Sequence, residues 1–340
     1  MPKLKVLVAG STGYIGVQLV KLLSKHPNVF IKYLCGKSSI GKKIYHYDNL
    51  LKSSKLPTIK RFNKSFLKDV DLVFTALPNG EAQQISKYLL KKNVLIDLAA
   101  DFRLTNSKSY FKYYKKKHKA ILNIKKSIYS LPELLESNLK DYQIIACPGC
   151  YPTSILLPLI PLVKKDLIDL KNIIIDSKSG YSGAGRSIHK KFANKNLYES
   201  LSAYGISNHR HNSEIQQELN YETKKKVEFS FTPHLSPMFR GILSTIYLDL
   251  NKNINSNKIT LVLKKYFKSQ KYIKIFKQNT TISTNDVINT NNCLISVFSS
   301  KNKNKIIILS AIDNLIKGGS GQAVQNMNIL FGYKSDEGLN

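Results

Sequence analysis

No stretch limits the folding options of this chain more than residues 4–27. An apolar run, LKVLVA (4–9), meets a glycine-bearing turn, GSTGYIG (10–16), and VQLVKLLSKHP (17–27) then spaces its apolar residues along one helical face. A strand that feeds a helix through three glycines is the entrance of a Rossmann-type dinucleotide-binding domain. Gly10 permits the tight turn, Gly13 lets backbone approach a pyrophosphate, and Gly16 allows close helix–strand packing. The helix N-terminus adds positive potential. Candidate cofactor residues are therefore Gly10, Ser11, Thr12, Gly13, Tyr14, Ile15 and Gly16. The bland alternative is a glycine-bearing turn in an ordinary βα unit. A glycine pattern alone is weak, but this one opens the chain in the right context.

The second strand, FIKYLC (30–35), ends where the adenosine ribose would lie. A site for NAD places an acid there, yet the chain continues GKSSIGKK, with no acid before Asp48. Lys37, Ser38 and Ser39 offer charge and donors suited to a 2′-phosphate, which favours NADP. Further βα signals follow in DLVFTAL (71–77), PNGEAQQISKYLLKK (78–92), VLIDLAA (94–100) and QIIA (143–146), and Pro78 joins the cofactor set.

The net charge of +31 raises the question of a nucleic-acid or acidic membrane partner. Of the 53 basic residues only five are arginine (Arg61, Arg103, Arg186, Arg210, Arg240), leaving 48 lysines scattered among Asn and Ile. Those three residue types share A- and T-rich codons, so genome composition accounts for the charge without a partner. The corollary is that an arginine surviving such drift is kept for its planar fork. Neither a signal-peptide pattern nor an apolar run long enough to span a bilayer is present, and four cysteines make no disulfide framework. A cytoplasmic protein without nucleic-acid or membrane partners is expected.

Two of those cysteines fall in ACPGCYPT (146–153), for which three readings stand. A zinc site needs a second ligand pair, and Cys35 and Cys293 are isolated, so no metal is expected. A redox pair fits the spacing but belongs near the start of its domain, whereas a whole dinucleotide unit precedes this one. The reading we favour is one nucleophile. Strand QIIA leads through CPGCYP to a helix, TSILLPLIPLV, capped by Thr153, which sets Cys150 at a helix N-terminus where thiolate is favoured. A nucleophilic cysteine beside a nicotinamide cofactor suits reduction of an acyl phosphate through a thioester.

The second half supplies candidates for the rest of such a site. SGYSGAGR (179–186) offers backbone donors and Arg186 to an anion, with Ser182 and Gly183 in reach of the cofactor. NHRHNSEI (208–215) holds His209 and His211 just before a helix, and acid–base work is the better use for them than metal ligation. FTPHLSPMFRG (231–241), read as a connection between strands, brings His234 and Arg240. His26, His46, His118 and His189 read as surface residues. Strand IIILSAI (306–312) ends at DNLIKGG, with Asn314 placed near the nicotinamide, and SGQAVQNMNILF (320–331) reads as an amphipathic helix returning to the first domain.

With GSTGYIG, CPGCYPT, SGYSGAGR, HRHNSEI, PHLSPMFRGI and DNLIKGGSGQAVQN in this order, the chain resembles the N-acetyl-γ-glutamyl-phosphate reductase family over nearly its whole length. The resemblance implies an α/β protein: a Rossmann-type domain over 1–149, completed by 314–340, and a glyceraldehyde-phosphate-dehydrogenase-like α+β domain with a mixed sheet over 150–313. It further implies NADPH-dependent reduction of N-acetylglutamyl 5-phosphate in arginine biosynthesis by a homodimer or homotetramer. By motif, Cys150 is the nucleophile and His209 the base; the scarcity of arginine makes Arg240 the candidate for the substrate α-carboxylate and Arg186 for its phosphate, and Arg103 and His211 are further candidate substrate contacts. Ser213 stands where the family often has proline. Aspartate-semialdehyde dehydrogenase and a lysine-pathway paralogue acting on a carrier-bound acyl phosphate are the enzyme alternatives. A basic nucleic-acid-binding protein is the alternative outside enzymes.

Overall fold

In the computed structural model, which describes residues 2–186, 199–302 and 304–339, the chain divides into two compact units. One comprises Met1–Pro148 with Gly319–Asn340, the other Gly149–Gly318. His189 lies outside the described residues.

The first unit is built on βα turns. β1 (Leu4–Ala9), α1 (Tyr14–Lys25), β2 (Val29–Cys35), β3 (Ile59–Lys60), β4 (Leu72–Thr75), α2 (Glu81–Ser86), β5 (Val94–Asp97), α3 (Ser107–Tyr114), β6 (Ser127–Tyr129) and β7 (Ile144–Ala146) follow in chain order. The strands form one sheet in the order β3-β2-β1-β4-β5-β7-β6, with every pair parallel. β1 and β4 lie inside that sheet, so Val6, Leu7, Val8, Val73 and Phe74 are fully buried, as strands covered on both faces require.

The C-terminal helix Gly321–Phe331 belongs to this unit, and it is not the amphipathic element expected. Eight consecutive residues, Gly321–Asn328, are buried, polar ones included. Three of the buried amides are held by named partners: Gln325 donates to Glu133 (2.7 Å), Asn326 accepts from Ser130 (2.7 Å), and Asn328 bonds the His26 ring (3.0 Å). Burial also corrects two histidines read as surface residues. His26 is held as above, while His118 bonds Asp101 O (2.8 Å) and accepts from Ala120 N–H (3.2 Å).

The second unit contains α4 (Cys150–Lys164), β8 (Ile173–Gly180), β9 (Ser202–Ala203), α5 (His211–Thr223), β10 (Phe229–Ser236), β11 (Ile242–Asp249), α6 (Ser256–Tyr266), β12 (Ile273–Ile275), β13 (Cys293–Ser299) and β14 (Lys305–Ile312). Its seven-stranded sheet runs β12-β13-β14-β11-β8-β10-β9 and is mixed, parallel at β8–β10 and β12–β13 and antiparallel elsewhere. One face packs under α4, whose apolar sequence is buried nearly all round despite Pro158 and Pro161. TPHLS, expected in a connection, continues β10 to Ser236, because eight residues pair in register with β8.

Candidate active site

The glycine turn between β1 and α1 fits a dinucleotide for reasons visible in its packing. Gly10 has φ +84°, and a Cβ there would sit 2.2 Å from Ala76 O. A Cβ on Gly16 would sit 2.1 Å from Gly10 O, so the first helical turn closes on the loop only without a side chain. Gly13 differs, since a Cβ there would meet no protein atom nearer than 3.7 Å. Its bareness is not demanded by the fold and leaves room for a pyrophosphate to approach. Ser11 is buried and donates to Cys35 O (3.2 Å), tying the loop to β2, and Thr12, Tyr14 and Ile15 are half-buried. Pro78 stands exposed after β4 and accepts from Glu81 N–H (3.2 Å).

At the end of β2, a cavity of about 270 Å³ is lined by Gly10, Gly36, Lys37, Arg61, Phe62 and Glu81, among others. Lys37 lines it, and Ser38 is exposed beside it. Ser39 faces inward instead, buried and hydrogen-bonded to Tyr47. Also in this unit, Arg103 is buried and donates to two carbonyls, those of Cys147 (2.7 Å) and Leu98 (3.0 Å). Cys147 is fully buried with Asn326 donating to its Sγ (3.7 Å), and burial pushes its thiol up to about 12.

In the second unit, α4 begins three residues earlier than expected. Gly149 is its N-cap, Cys150 its first residue, and Thr153 bonds back to Gly149 O (2.9 Å) from within the first turn. Cys150 is part-exposed on the open N–H groups of a 15-residue helix, where the macrodipole favours thiolate. Behind it the backbone of Gly318 comes so close that a Cβ there would lie 2.7 Å from Cys150 Cβ.

A small cavity of about 30 Å³ opens over Cys150, lined by Ser179, Gly183, Tyr204, His209, Arg210 and His211 among others. Four separate segments converge there. His209 is carried by the turn after Gly205 (φ +59°), and its ring stands edge-on to Tyr151, Tyr204, Phe231 and His211. Burial, and next the Arg210 charge, lower its pKa to about 4, so the ring is neutral near pH 7. His209 Nδ1 accepts from His211 N–H (3.2 Å), which leaves the hydrogen of the neutral ring on Nε2.

His211 opens α5 and lies against Gly149, whose added Cβ would fall 2.4 Å from His211 Nε2. The fully buried carboxylate of Glu214 faces that nitrogen at 3.7 Å and accepts from Gly149 N–H (2.9 Å). Glu214 follows His211 by three residues and so shares its helical face, a spacing visible in HRHNSE but not used above. Arg210 also went unassigned, although the scarcity of arginine singled it out.

His234, Arg240, Asn314 and Arg186 are not among the residues that line this cavity. His234 points to the opposite sheet face from Phe231 and Leu235, with Nδ1 3.1 Å from Asp176, and so leaves the field of possible bases. Arg240 gives Nη1 to Asp313 (3.2 Å) and to Asn289, and it is Arg210 that lines the cavity. Asn314 accepts from Gly241 N–H (2.7 Å) and donates to Ser182 (3.0 Å), which pins the turn bearing Gly183. Arg186 is exposed at the end of that turn.

A dinucleotide turn in one unit, and a helix-terminal cysteine with two histidines in the other, define a semialdehyde dehydrogenase, an oxidoreductase with a nicotinamide dinucleotide cofactor. Residues 5–142 match the family model "Semialdehyde dehydrogenase, NAD binding domain", and residues 150–314 match "Semialdehyde dehydrogenase, dimerisation domain". Within that class the chain belongs to the N-acetyl-γ-glutamyl-phosphate reductase family. It is 41% identical to the enzyme of that name from Desulforamulus reducens, covering 99% of this chain and 98% of the relative. It is 44% identical to the one from Vesicomyosocius okutanii, covering 99% and 97%. Among solved structures it is similar in fold to aspartate semialdehyde dehydrogenase II of Vibrio cholerae (TM-score 0.71, 16% identity, 98% and 99% covered). It is likewise similar to the Candida albicans aspartate semialdehyde dehydrogenase solved with NADP (TM-score 0.69, 17% identity, 97% and 98% covered). No helix among the described residues is long and apolar enough to cross a membrane.

Proposed function

We propose that the protein reduces N-acetyl-L-glutamyl 5-phosphate to N-acetyl-L-glutamate 5-semialdehyde and phosphate in arginine biosynthesis, using NADPH, as a cytoplasmic homo-oligomer. The observation that carries this reading is Cys150 at the N-terminus of α4, sharing one cavity with His209, Arg210 and His211. Cys150 Sγ attacks the acyl carbon, the carbon–oxygen bond to phosphate breaks, and a thioester remains on the enzyme. Bound NADPH would supply the hydride for the thioester carbonyl carbon. Hydride addition leaves an oxyanion, the ionised thiohemiacetal on Cys150; as its carbonyl re-forms the carbon–sulfur bond breaks, which releases aldehyde and restores thiolate.

The two histidines suit different protons. His211, whose ring lies against Gly149 beside Cys150 with the Glu214 carboxylate 3.7 Å from Nε2, suits the thiol proton. His209, with its hydrogen on Nε2, is arranged to donate to the carbonyl oxygen as charge develops. The sequence assigned both tasks to His209, and the bond to its Nδ1 is what favours dividing them. Arg210 offers the nearby cation for an anionic substrate group.

The test is NADPH oxidation by the purified chain with N-acetylglutamyl phosphate, against aspartyl phosphate as control. Turnover confined to the N-acetylated substrate is expected. Turnover of aspartyl phosphate alone would return the chain to the aspartate-semialdehyde class.

A further inference from the structure

We propose that Arg61 is the residue that selects the phosphorylated cofactor by binding its 2′-phosphate; the inference rests on the NADPH reading above and names what enforces it. The register of the first sheet puts this side chain there. β3 runs parallel to β2 with Cys35 opposite Lys60, and Gly36 N–H donates to Lys60 O (3.0 Å). Arg61 therefore leaves the sheet beside Gly36 and Lys37, at the strand end where the adenosine ribose of a dinucleotide sits. It lines the same cavity of about 270 Å³ as Gly10 of the glycine turn.

The groups that the sequence offers for a 2′-phosphate are largely spent elsewhere. The Ser39 hydroxyl is turned inward on Tyr47. Lys37 Nζ is paired with Glu81 Oε1 at 2.6 Å, and Glu81 is itself a wall of the cavity. A carboxylate in that position repels phosphate and suits ribose hydroxyls, so the Lys37–Glu81 pair discriminates little on its own. None of the ion pairs among the described residues involves Arg61. With Arg61 the three charged groups sum to +1, and without it to zero.

An arginine is also the right cation for the task, since its fork meets two oxygens of one phosphate where lysine presents a point charge. That this chain keeps arginine here, among 48 lysines against five arginines, agrees with such a need.

The experiment compares wild type, Arg61→Ala and Glu81→Gln for kcat/KM with NADPH and NADH, together with inhibition by 2′,5′-ADP and 5′-AMP. Arg61→Ala should lower the NADPH/NADH ratio about tenfold or more, the scale of one charge-assisted contact, mainly through KM. It should weaken 2′,5′-ADP by the same factor and leave 5′-AMP within about twofold, the scatter of an undisturbed site. Glu81→Gln should raise the NADPH/NADH ratio by freeing Lys37. A wild type that prefers NADPH, with an Arg61→Ala variant that keeps the preference or loses both cofactors equally, overturns the proposal and leaves the cofactor reading standing. A wild type without any NADPH preference overturns both.

Discussion

The two units build their sites by opposite strategies. In the first, the dinucleotide turn is seven contiguous residues, Gly10–Gly16, and its geometry is set by glycines that meet one another and Ala76. In the second, the cavity over Cys150 takes residues from 150–151, 179–184, 204–211 and 235, carried by two strands, two helices and the turns beside them. A contiguous site is tied to local backbone rules, so its failures should be local. A convergent site depends on which side chains tertiary packing turns inward, and its failures should be graded by contact with the reacting atoms.

The largest effect expected tests that grading at its source. Cys150→Ser should abolish reduction, by about 10³-fold or more, while cofactor binding persists, since an alcohol is scarcely ionised at neutral pH. Cys147→Ser should keep most activity, because that thiol is fully buried, bonded to Asn326, and held in the unreactive protonated form by its surroundings. Steady-state rates and NADPH fluorescence titrations on both variants decide it. A dead Cys147 variant with a live Cys150 variant reverses the assignment, and two dead variants revive the redox pair.

Next in size are the histidines. His209→Asn should cut turnover by roughly 10²–10⁴, the usual scale for losing a general acid–base. Because burial and then Arg210 lower its pKa to about 4, His209 should not govern any ionisation of the rate between pH 5 and 8. The same shift fixes a stability slope. The unfolded imidazole, near 6.5, binds a proton before the folded one does, so acid favours unfolding. The stabilisation is complete above about pH 6.5 and is lost as pH falls toward 4. His209→Asn should flatten Tm against pH across that window. A variant that instead removed a rate limb near pH 6.5 would return the thiol proton to His209.

Legibility followed the same divide. Strands β1, β2, β8, β11 and β14 could be read from apolar runs, because strands buried on one or both faces carry unbroken or alternating apolar residues. The short edge strands β3, β6, β9 and β12 could not, having two or three residues and no pattern of their own. Yet β3 is what brings Arg61 to the cavity at the end of β2. His209 and His211 were recognisable as candidates, but the division of labour proposed for them rests on the N–H bonded to His209 Nδ1 and on the burial of Glu214, which the spacing in HRHNSE does not state. Arg240 was attractive as a lone fork, and its engagement with Asp313, 73 residues away, left no local trace.

The smallest effect sharpens the contrast at the contiguous site, where two glycines three residues apart should fail differently. Gly10→Ala asks a side chain to adopt φ +84° and to overlap Ala76 O at 2.2 Å, so backbone in the middle of the sheet must shift. That variant should lose stability first, by about 1–3 kcal/mol for the positive φ alone, with cofactor affinity falling as the turn distorts. Gly13→Ala meets nothing nearer than 3.7 Å in the protein, with φ −68°. Its Tm should stay within a degree or two of wild type, and exchanging Gly for Ala at an unstrained position tends even to stabilise. What the new methyl occupies is the space reserved for the pyrophosphate, so KM for NADPH should rise about tenfold, close to the 1.4 kcal/mol scale of one displaced contact. Thermal melts beside NADPH titrations separate the two outcomes. If Gly13→Ala unfolded the protein, or bound NADPH as wild type does, the bareness of Gly13 would be a folding requirement or an accident, and the pyrophosphate would have to approach elsewhere along the turn.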